Sequence, residues 1–193
     1  DDVESRGLGD VYKRQVIYGR RRVGKTALIN HFIDDKKSIY FMGVESNEKQ
    51  NLENLSRSIM EYSNDMPEDT YFASYQAALE YVFKISEKER VILTIDEYPY
   101  VARESKSLAS TLQLLIDKYK DTSRLMLILC GSSMSYMEDH VLAYKAPLYG
   151  RRTAQMKILP FDFGECCRCF KKLSDEDKAL IYGIAVSYTH LTL

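Results

Sequence analysis

The sequence lacks an excess of charge of either sign, and it lacks long apolar runs. Its 193 residues carry 27 basic and 28 acidic side chains, a formal net charge of −1. Proteins that bind nucleic acid without sequence preference usually carry a basic excess, so the composition argues against that class. No apolar run approaches the ~18 residues of a membrane-spanning helix, and the first residues lack the charged and apolar regions of a signal peptide. We therefore expect a cytoplasmic protein without a membrane partner.

Cysteine and histidine, the usual zinc ligands, are also few. The sequence contains four cysteines and three histidines. Three of the cysteines crowd together as Cys166, Cys167 and Cys169, but no second ligand pair and no suitably spaced histidine completes a tetrahedral site. We therefore expect free thiols in a reducing compartment rather than a zinc centre.

Apolar runs of strand length alternate with helical patterns along the chain. Strands are predicted at residues 16–18, 38–43, 91–95, 125–130 and 156–159, and helices at 25–34, 52–60, 71–85, 108–119, 162–170 and 174–185, with Ser46 as a cap of the second helix. The alternation favours right-handed crossovers and a mostly parallel sheet with helices on both faces. The predicted fold class is therefore α/β, with room for one domain or for one domain and part of a second.

A glycine-rich turn follows the first predicted strand. Residues 19–26 read G-R-R-R-V-G-K-T and satisfy the pattern G-x-x-x-x-G-K-[ST] of a triphosphate-binding loop. The glycines let backbone N–H groups approach phosphates, and the following helix adds its positive dipole end. Lys25 is expected to bridge the β- and γ-phosphates of ATP, and the Thr26 hydroxyl to bind Mg²⁺. The candidate nucleotide-binding residues are Gly19, Arg20, Arg21, Arg22, Val23, Gly24, Lys25, Thr26 and Ala27.

Two alternatives concern this loop. The first is a chance glycine-rich turn, which the preceding strand and the following amphipathic helix disfavour. The second concerns the three arginines alone, because they fit contacts with phosphate or a partner and fit a solvated basic loop equally well.

A second apolar strand ends in two acids. The run V-I-L-T-I at 91–95 is typical of a strand covered on both faces, and Asp96 and Glu97 follow it. Asp96 is expected to serve Mg²⁺ largely through water, and Glu97 to act on the attacking water as a general base or an orienting group. Alone, the pair fits an ordinary acidic turn equally well; beside a triphosphate-binding loop, the catalytic interpretation is favoured. The extra strand at 38–43 fits P-loop proteins that carry a catalytic glutamate, which favours ATP hydrolysis over phosphoryl transfer to a small molecule.

Four segments together resemble one known family. They are V-I-Y-G-R-R-R-V-G-K-T at 16–26, I-D-E-Y-P-Y at 95–100, L-I-L-C-G-S-S at 127–133, and L-Y-G-R-R-T at 148–153 with L-P-F at 159–161. These resemble the archaeal ATPase family, which belongs to the AAA+-like, signal-transducing (STAND) P-loop NTPases. The resemblance implies a three-layer α-β-α sandwich with a mostly parallel five-stranded sheet in the order 5-1-4-3-2, plus the start of a C-terminal helical segment.

The same resemblance implies two further site residues, with ATP and Mg²⁺ as cofactors. Ser132 or Ser133 would take the place of the family's polar sensor of the γ-phosphate, although a Gly-Ser-Ser turn also suits a helix N-cap. Arg151 lies in the family's Gly-Arg motif and would stabilise charge at the γ-phosphate or sense the nucleotide, with Arg152 as a second candidate. The alternative for Arg151 is an ordinary surface arginine in a loop.

Four regions are expected along the chain. Residues 1–14 would be a non-native or disordered leader, 15–160 the ATPase core, 161–185 the start of a helical lid, and 186–193 a non-native tail. Both flanks resemble translated sequencing-adaptor text, so we expect a natural protein that continues differently at both ends.

The functional hypothesis is an ATPase whose bound nucleotide drives a conformational switch. One alternative is a regulatory module that hydrolyses ATP slowly or not at all. A nucleic-acid motor is a third hypothesis, which the neutral composition disfavours. The expected partners are ATP and either another protein or further copies of the chain. DNA enters by family analogy only, because relatives often carry winged-helix or nuclease-like modules.

Overall fold

The computed structural model describes residues 13–63 and 71–185, and these form a parallel sheet of five strands. The strands are β1 (Lys13–Tyr18), β2 (Ser38–Met42), β3 (Ile92–Asp96), β4 (Met126–Gly131) and β5 (Ala154–Lys157). They lie in the order β2-β3-β4-β1-β5, and every neighbouring pair is parallel. The predicted order 5-1-4-3-2 and the α/β class are confirmed.

Helices cover both faces of this sheet. They are α1 (Lys25–Ile33), α2 (Glu48–Ser63), α3 (Tyr75–Lys88), α4 (Tyr98–Glu104), α5 (Leu108–Lys118), α6 (Met134–Tyr136), α7 (Phe163–Cys169) and α8 (Asp175–Ala185), and α6 continues as a π-helical turn (Met137–Leu142). Ile29 of α1 packs with apolar residues on one face of the sheet. The apolar sides of α2 to α5 form a larger core on the other face. The result is the three-layer sandwich that the resemblance implied.

The two central strands β3 and β4 are buried along their whole length. Their side chains alternate between the two cores: Leu93 and Ile95 face the large core, whereas Ile92 faces the core beneath α1. This is why the sequence of each strand is an apolar run rather than an alternation of apolar and polar residues. Loops at the carboxyl ends of these strands are therefore held on a rigid base.

Several element boundaries differ from the prediction. The helix predicted from residue 71 begins at Tyr75, because the Ser74 side chain accepts a hydrogen bond from the Ala77 N–H at 3.2 Å and caps it. The predicted Ser46 cap is wrong, because α2 begins at Glu48. The Asn47 side chain accepts a hydrogen bond at 2.9 Å from the N–H of Gln50, the third residue of the helix. Asparagine satisfies the free N–H groups of a helix end as well as serine does.

Two helical segments and the register of β5 were not predicted. Helix α4 has seven residues and follows Glu97 directly, and the π-helical turn has six, so neither is long enough for a clear apolar period. Strand β5 lies two residues before its predicted position, because Gln15 of β1 pairs with Ala154.

The expected terminal segments lie largely outside the described residues. Residues 1–12 and 186–193 are not described, and β1 already begins at Lys13, within the expected leader. No helix in the described part of the chain combines the length and the apolar composition that crossing a bilayer requires.

Candidate nucleotide site

Three loops meet where the parallel strands end. The glycine-rich loop follows β1, Asp96 and Glu97 close β3, and Ser132 follows β4. Because β3, β4 and β1 are neighbours and all run in one direction, their carboxyl ends share one edge of the sheet. In α/β folds this edge is the usual place for a ligand.

The glycine-rich loop requires glycine at two positions for different reasons. Gly24 has φ 90° and immediately precedes α1, in the left-handed conformation that side chains disfavour. Gly19 is buried, and a Cβ there would lie 2.2 Å from the Ile158 carbonyl oxygen. Only a residue without a side chain at position 19 therefore lets the loop pass this close to Ile158, the residue directly after β5.

Lys25 is folded back into this loop. It is buried, and its Nζ donates to the carbonyl oxygens of Gly19 at 2.9 Å and Arg20 at 2.8 Å. Both acceptors are neutral carbonyl oxygens, and within residues 13–63 and 71–185 no acidic side chain forms an ion pair with Lys25. The site therefore presents a cation and the N-terminus of α1 to the same space, which suits an anion.

Asp96 lies at the centre of the site and is almost fully buried, with 1% of its surface exposed. Its Oδ2 accepts hydrogen bonds from the Thr26 hydroxyl and the Tyr40 hydroxyl, each at 2.8 Å, and its Oδ1 accepts from the Glu97 N–H at 2.9 Å. Within residues 13–63 and 71–185, no basic side chain forms an ion pair with Asp96. A carboxylate and a hydroxyl are the hard oxygen ligands that Mg²⁺ prefers, so Thr26 and Asp96 fit the metal.

The groups that face Asp96 stay protonated. Burial, and then the hydrogen bond to Asp96, raise the pKa of the Tyr40 hydroxyl well above its ordinary value. Burial, and then the charge of Asp96, raise the pKa of the Cys130 thiol in the same way. Both shifts have the same two causes: burial disfavours the charged form of each group, and the neighbouring Asp96 carboxylate disfavours a second negative charge. Tyr40 therefore serves Asp96 as a neutral donor.

Glu97 is held by Ser132. Its Oε2 accepts from the Ser132 hydroxyl at 2.8 Å and from the Ser132 N–H at 3.2 Å. Glu97 has φ 50°, a left-handed conformation that is uncommon for a residue with a side chain and common at functional turns. Ser132 thus does not cap a helix with its side chain; it contacts the candidate catalytic carboxylate.

A polar cavity of about 310 Å³ opens beside Glu97. Arg21 of the glycine-rich loop lines it and donates to the Tyr100 hydroxyl of α4. Arg103, also on α4, lines it and donates to the Ser133 hydroxyl at 3.2 Å. The cavity gives polar molecules access to the Glu97 carboxylate. Three other residues of the predicted loop are exposed, namely Arg20, Arg22 and Ala27, and Val23 is half-buried.

The role that the resemblance implied for Arg151 does not fit its place in the fold. Its guanidinium pairs with the Asp117 carboxylate at 2.6 Å and donates to the Pro147 carbonyl at 3.0 Å, beside Arg14 at the start of β1. The glycine-rich loop follows the other end of that strand, five residues or roughly 16 Å away at the usual rise of a strand. Arg151 therefore does not reach the phosphate loop of its own chain. Arg152 lies at the same end and donates to the Leu142 carbonyl.

Sequence reasoning missed Tyr40, Tyr100 and Arg103. Tyr40 lies inside the predicted second strand, whose neighbour β3 carries Asp96, but the sequence gives no register between the two. The other two lie on α4, which was not predicted. The available signals were their position within eight residues of Asp96 and, for Tyr100, its place in the family-like segment at 95–100.

Known proteins resemble this chain in sequence and in fold. Residues 2–186 match the profile of a family described as an ATPase domain predominantly from Archaea. An uncharacterized protein of Methanocaldococcus jannaschii is 35% identical over 170 residues, which cover 88% of this chain and 36% of that protein. The chain thus spans about a third of that relative's length.

Solved structures share the fold at lower identity. A Walker-type ATPase of Pyrococcus abyssi has a TM-score of 0.61 and 20% identity, covering 88% of this chain and 58% of that one. Drosophila ORC bound to DNA has a TM-score of 0.67 and 14% identity, covering 94% of this chain and 53% of that one. At these identities the likeness concerns the fold alone, and the chain spans a little over half of each solved chain.

Proposed function

The chain belongs to the family of ATPase domains found predominantly in Archaea, and from this premise we propose that it hydrolyses ATP with Mg²⁺ and uses the nucleotide as a conformational switch. Nucleotide binding by a P-loop is the coarser part of this statement, and family membership supports it. The finer part is our proposal: the chain hydrolyses ATP, depends on Mg²⁺, acts as a conformational switch and belongs to the AAA+-like STAND NTPases. One observation carries it: the Thr26–Asp96 pair and the Glu97–Ser132 pair lie side by side on one sheet edge.

The chain's residues divide the work of hydrolysis. Lys25 and the N–H groups of its loop would hold the β- and γ-phosphates. Thr26 and Asp96 would hold Mg²⁺, which supplies neutralisation of the phosphate oxygens when bound. Glu97 would take a proton from water as the water oxygen bonds to the γ-phosphorus and the bond to the bridging oxygen breaks, which releases ADP and phosphate.

A second candidate function is a regulatory module that turns over slowly. The Ser132 contacts with Glu97 favour it, because two donors occupy Oε2, one of the two carboxylate oxygens that could accept a proton from water. In that case bound ATP would hold a signalling state, and hydrolysis would wait for Ser132 to release Glu97.

Partners also belong to the proposal. Drosophila ORC, which shares this fold, is bound to DNA in its solved structure. The neutral composition disfavours a DNA-driven motor. We propose another protein or a second copy of the chain as the partner that reads the nucleotide state.

Multiple-turnover phosphate release with Mg²⁺-ATP tests the enzymatic function. Glu97→Gln should lower the rate roughly 10²- to 10⁴-fold, the usual contribution of a general base, without weakening ATP binding. Glu104→Gln is the matched control, because Glu104 is an exposed glutamate on α4. Rapid turnover that survives Glu97→Gln would overturn the role of Glu97. Tight ATP binding with negligible turnover in the unmodified chain would favour the regulatory module.

A further inference from the structure

We propose that Tyr40 is a positioning residue for the metal: its hydroxyl sets the orientation of the Asp96 carboxylate and thereby the affinity of the site for Mg²⁺. This inference rests on the proposed function. It assigns a role to a residue on β2, outside the glycine-rich loop and outside the β3 motif.

Tyr40 is itself held from two sides. Its ring packs against the apolar residues beneath α1, as one of the partly buried residues at the edge of that core. Its backbone carbonyl accepts a hydrogen bond from the Ser58 hydroxyl of α2 at 2.9 Å. Side chain and backbone are therefore fixed by different layers of the sandwich, so the hydroxyl that reaches Asp96 has little freedom to move.

The three donors that bind Asp96 differ in the other groups that they must serve. The Thr26 hydroxyl has a single proton and must also offer its oxygen to the metal. The Glu97 N–H contacts the other carboxylate oxygen, Oδ1, and belongs to the turn that Glu97 forms. Tyr40 lies on β2, outside the glycine-rich loop, and its hydroxyl donates to Oδ2 at 2.8 Å.

The three donors together fix the plane of the carboxylate. Two hydrogen bonds end on Oδ2 and one on Oδ1, so three of about four lone-pair directions are occupied. Removal of the Tyr40 donor leaves the Thr26 hydroxyl on Oδ2, with the Cys130 thiol also facing the carboxylate, and loosens the orientation of the group. Partners of this kind, which bind a metal ligand rather than the metal, typically contribute 10- to 100-fold in metal affinity.

The test is ATP affinity measured as a function of Mg²⁺ concentration and again in EDTA, for the unmodified chain, Tyr40→Phe and Tyr81→Phe. Phenylalanine keeps the ring and its packing, so only the hydroxyl is lost. Tyr81 is the matched control because it is also half-buried and loses one hydrogen bond, to Ser63 at 3.1 Å on α2. Thermal unfolding of the three proteins shows whether each folds.

The expected result is specific to the metal. In Tyr40→Phe the Mg²⁺ concentration for half-maximal tightening of ATP binding should rise about 10-fold or more, with unchanged ATP affinity in EDTA. Tyr81→Phe should match the unmodified chain in both conditions. An unchanged Mg²⁺ requirement in Tyr40→Phe would overturn the inference, and so would an equal loss of ATP affinity in EDTA, which would mark a purely structural role. Failure of the proposed metal site itself would show separately, as Mg²⁺-independent ATP binding by the unmodified chain.

Discussion

Gly43 lies at the junction of β2, the end of β3 and helix α4, and its replacement by alanine tests how tightly this junction holds the site. The Gly43 N–H donates to the Asp96 carbonyl at 2.8 Å. A Cβ on Gly43 would lie 2.5 Å from Val101 Cγ2 and 2.8 Å from the Glu97 carbonyl oxygen. Ordinary contacts between carbon atoms are about 3.5 to 4.0 Å, so an added methyl group overlaps Val101 by roughly 1 Å or more.

The overlap has a definite cost. Val101 is fully buried and the second obstructing atom belongs to the backbone, so neither can simply swing away. Overpacking of this kind usually costs about 1 to 3 kcal/mol. For a chain of this size, 1 kcal/mol corresponds to about 2 to 4 °C in the thermal midpoint, so Gly43→Ala should lower the midpoint by about 2 to 12 °C.

Thermal unfolding monitored by circular dichroism measures this shift, with Gly183→Ala as the control. Gly183 lies in α8, is exposed, and an added Cβ there meets no atom within 4 Å. Alanine is the better helix former by about 1 kcal/mol, so this variant should raise the midpoint by at most about 4 °C. Because Glu97 provides the obstructed carbonyl, Gly43→Ala should also slow phosphate release. Equal midpoints for Gly43→Ala and the unmodified chain would refute the packing argument.

Two further predictions concern a hydrogen bond and an ion pair. Ser132→Ala removes the 2.8 Å bond to Glu97, a charge-assisted bond of about 1.5 kcal/mol or more, and should slow phosphate release about 10-fold with unchanged ATP affinity. The control is Ser110→Ala, which removes an exposed hydroxyl on α5 that donates to the Ser107 carbonyl at 2.9 Å. A faster rate in Ser132→Ala would instead mean that Ser132 restrains Glu97. The hydrogen bond and charge of Arg151 lower the pKa of Asp117, so the pair stabilises the fold above the unfolded pKa of about 4 and loses this effect as pH falls through the lower folded pKa. The effect is small because Asp117 is half exposed; the midpoint difference between the unmodified chain and Asp117→Asn should shrink below about pH 4, and a growing difference would contradict it.

The sheet was predictable because its central strands are buried on both faces. Their apolar runs are too long for loops, the run of β3 is also rich in β-branched residues, and the alternation with helices leaves few topologies. The strand order came from the family resemblance. The edge strand β5 was misplaced because all four of its side chains are exposed, so no apolar pattern marks its register.

The candidate site was predictable where neighbouring residues in the sequence form it. The loop around Lys25 and the pair Asp96–Glu97 are local motifs whose chemistry can be inferred from spacing. Tyr40 and Arg103 depend on the register of β2 against β3 and on a seven-residue helix, which local patterns do not specify. The place of Arg151 was not predictable, because a motif carried over from a family does not say which end of β1 it lies beside.

Direct measurement of ATP binding by Lys25→Ala tests the central claim, that residues 19–26 hold a triphosphate. The matched control is Lys36→Ala, which removes an exposed lysine just beyond α1 that donates to the Phe32 carbonyl at 2.8 Å. Equilibrium titration with a fluorescent ATP analogue, on variants shown to be folded by circular dichroism, should give saturable binding for Lys36→Ala and none for Lys25→Ala. Unchanged affinity in Lys25→Ala would contradict the assignment of the loop and, with it, the proposed function.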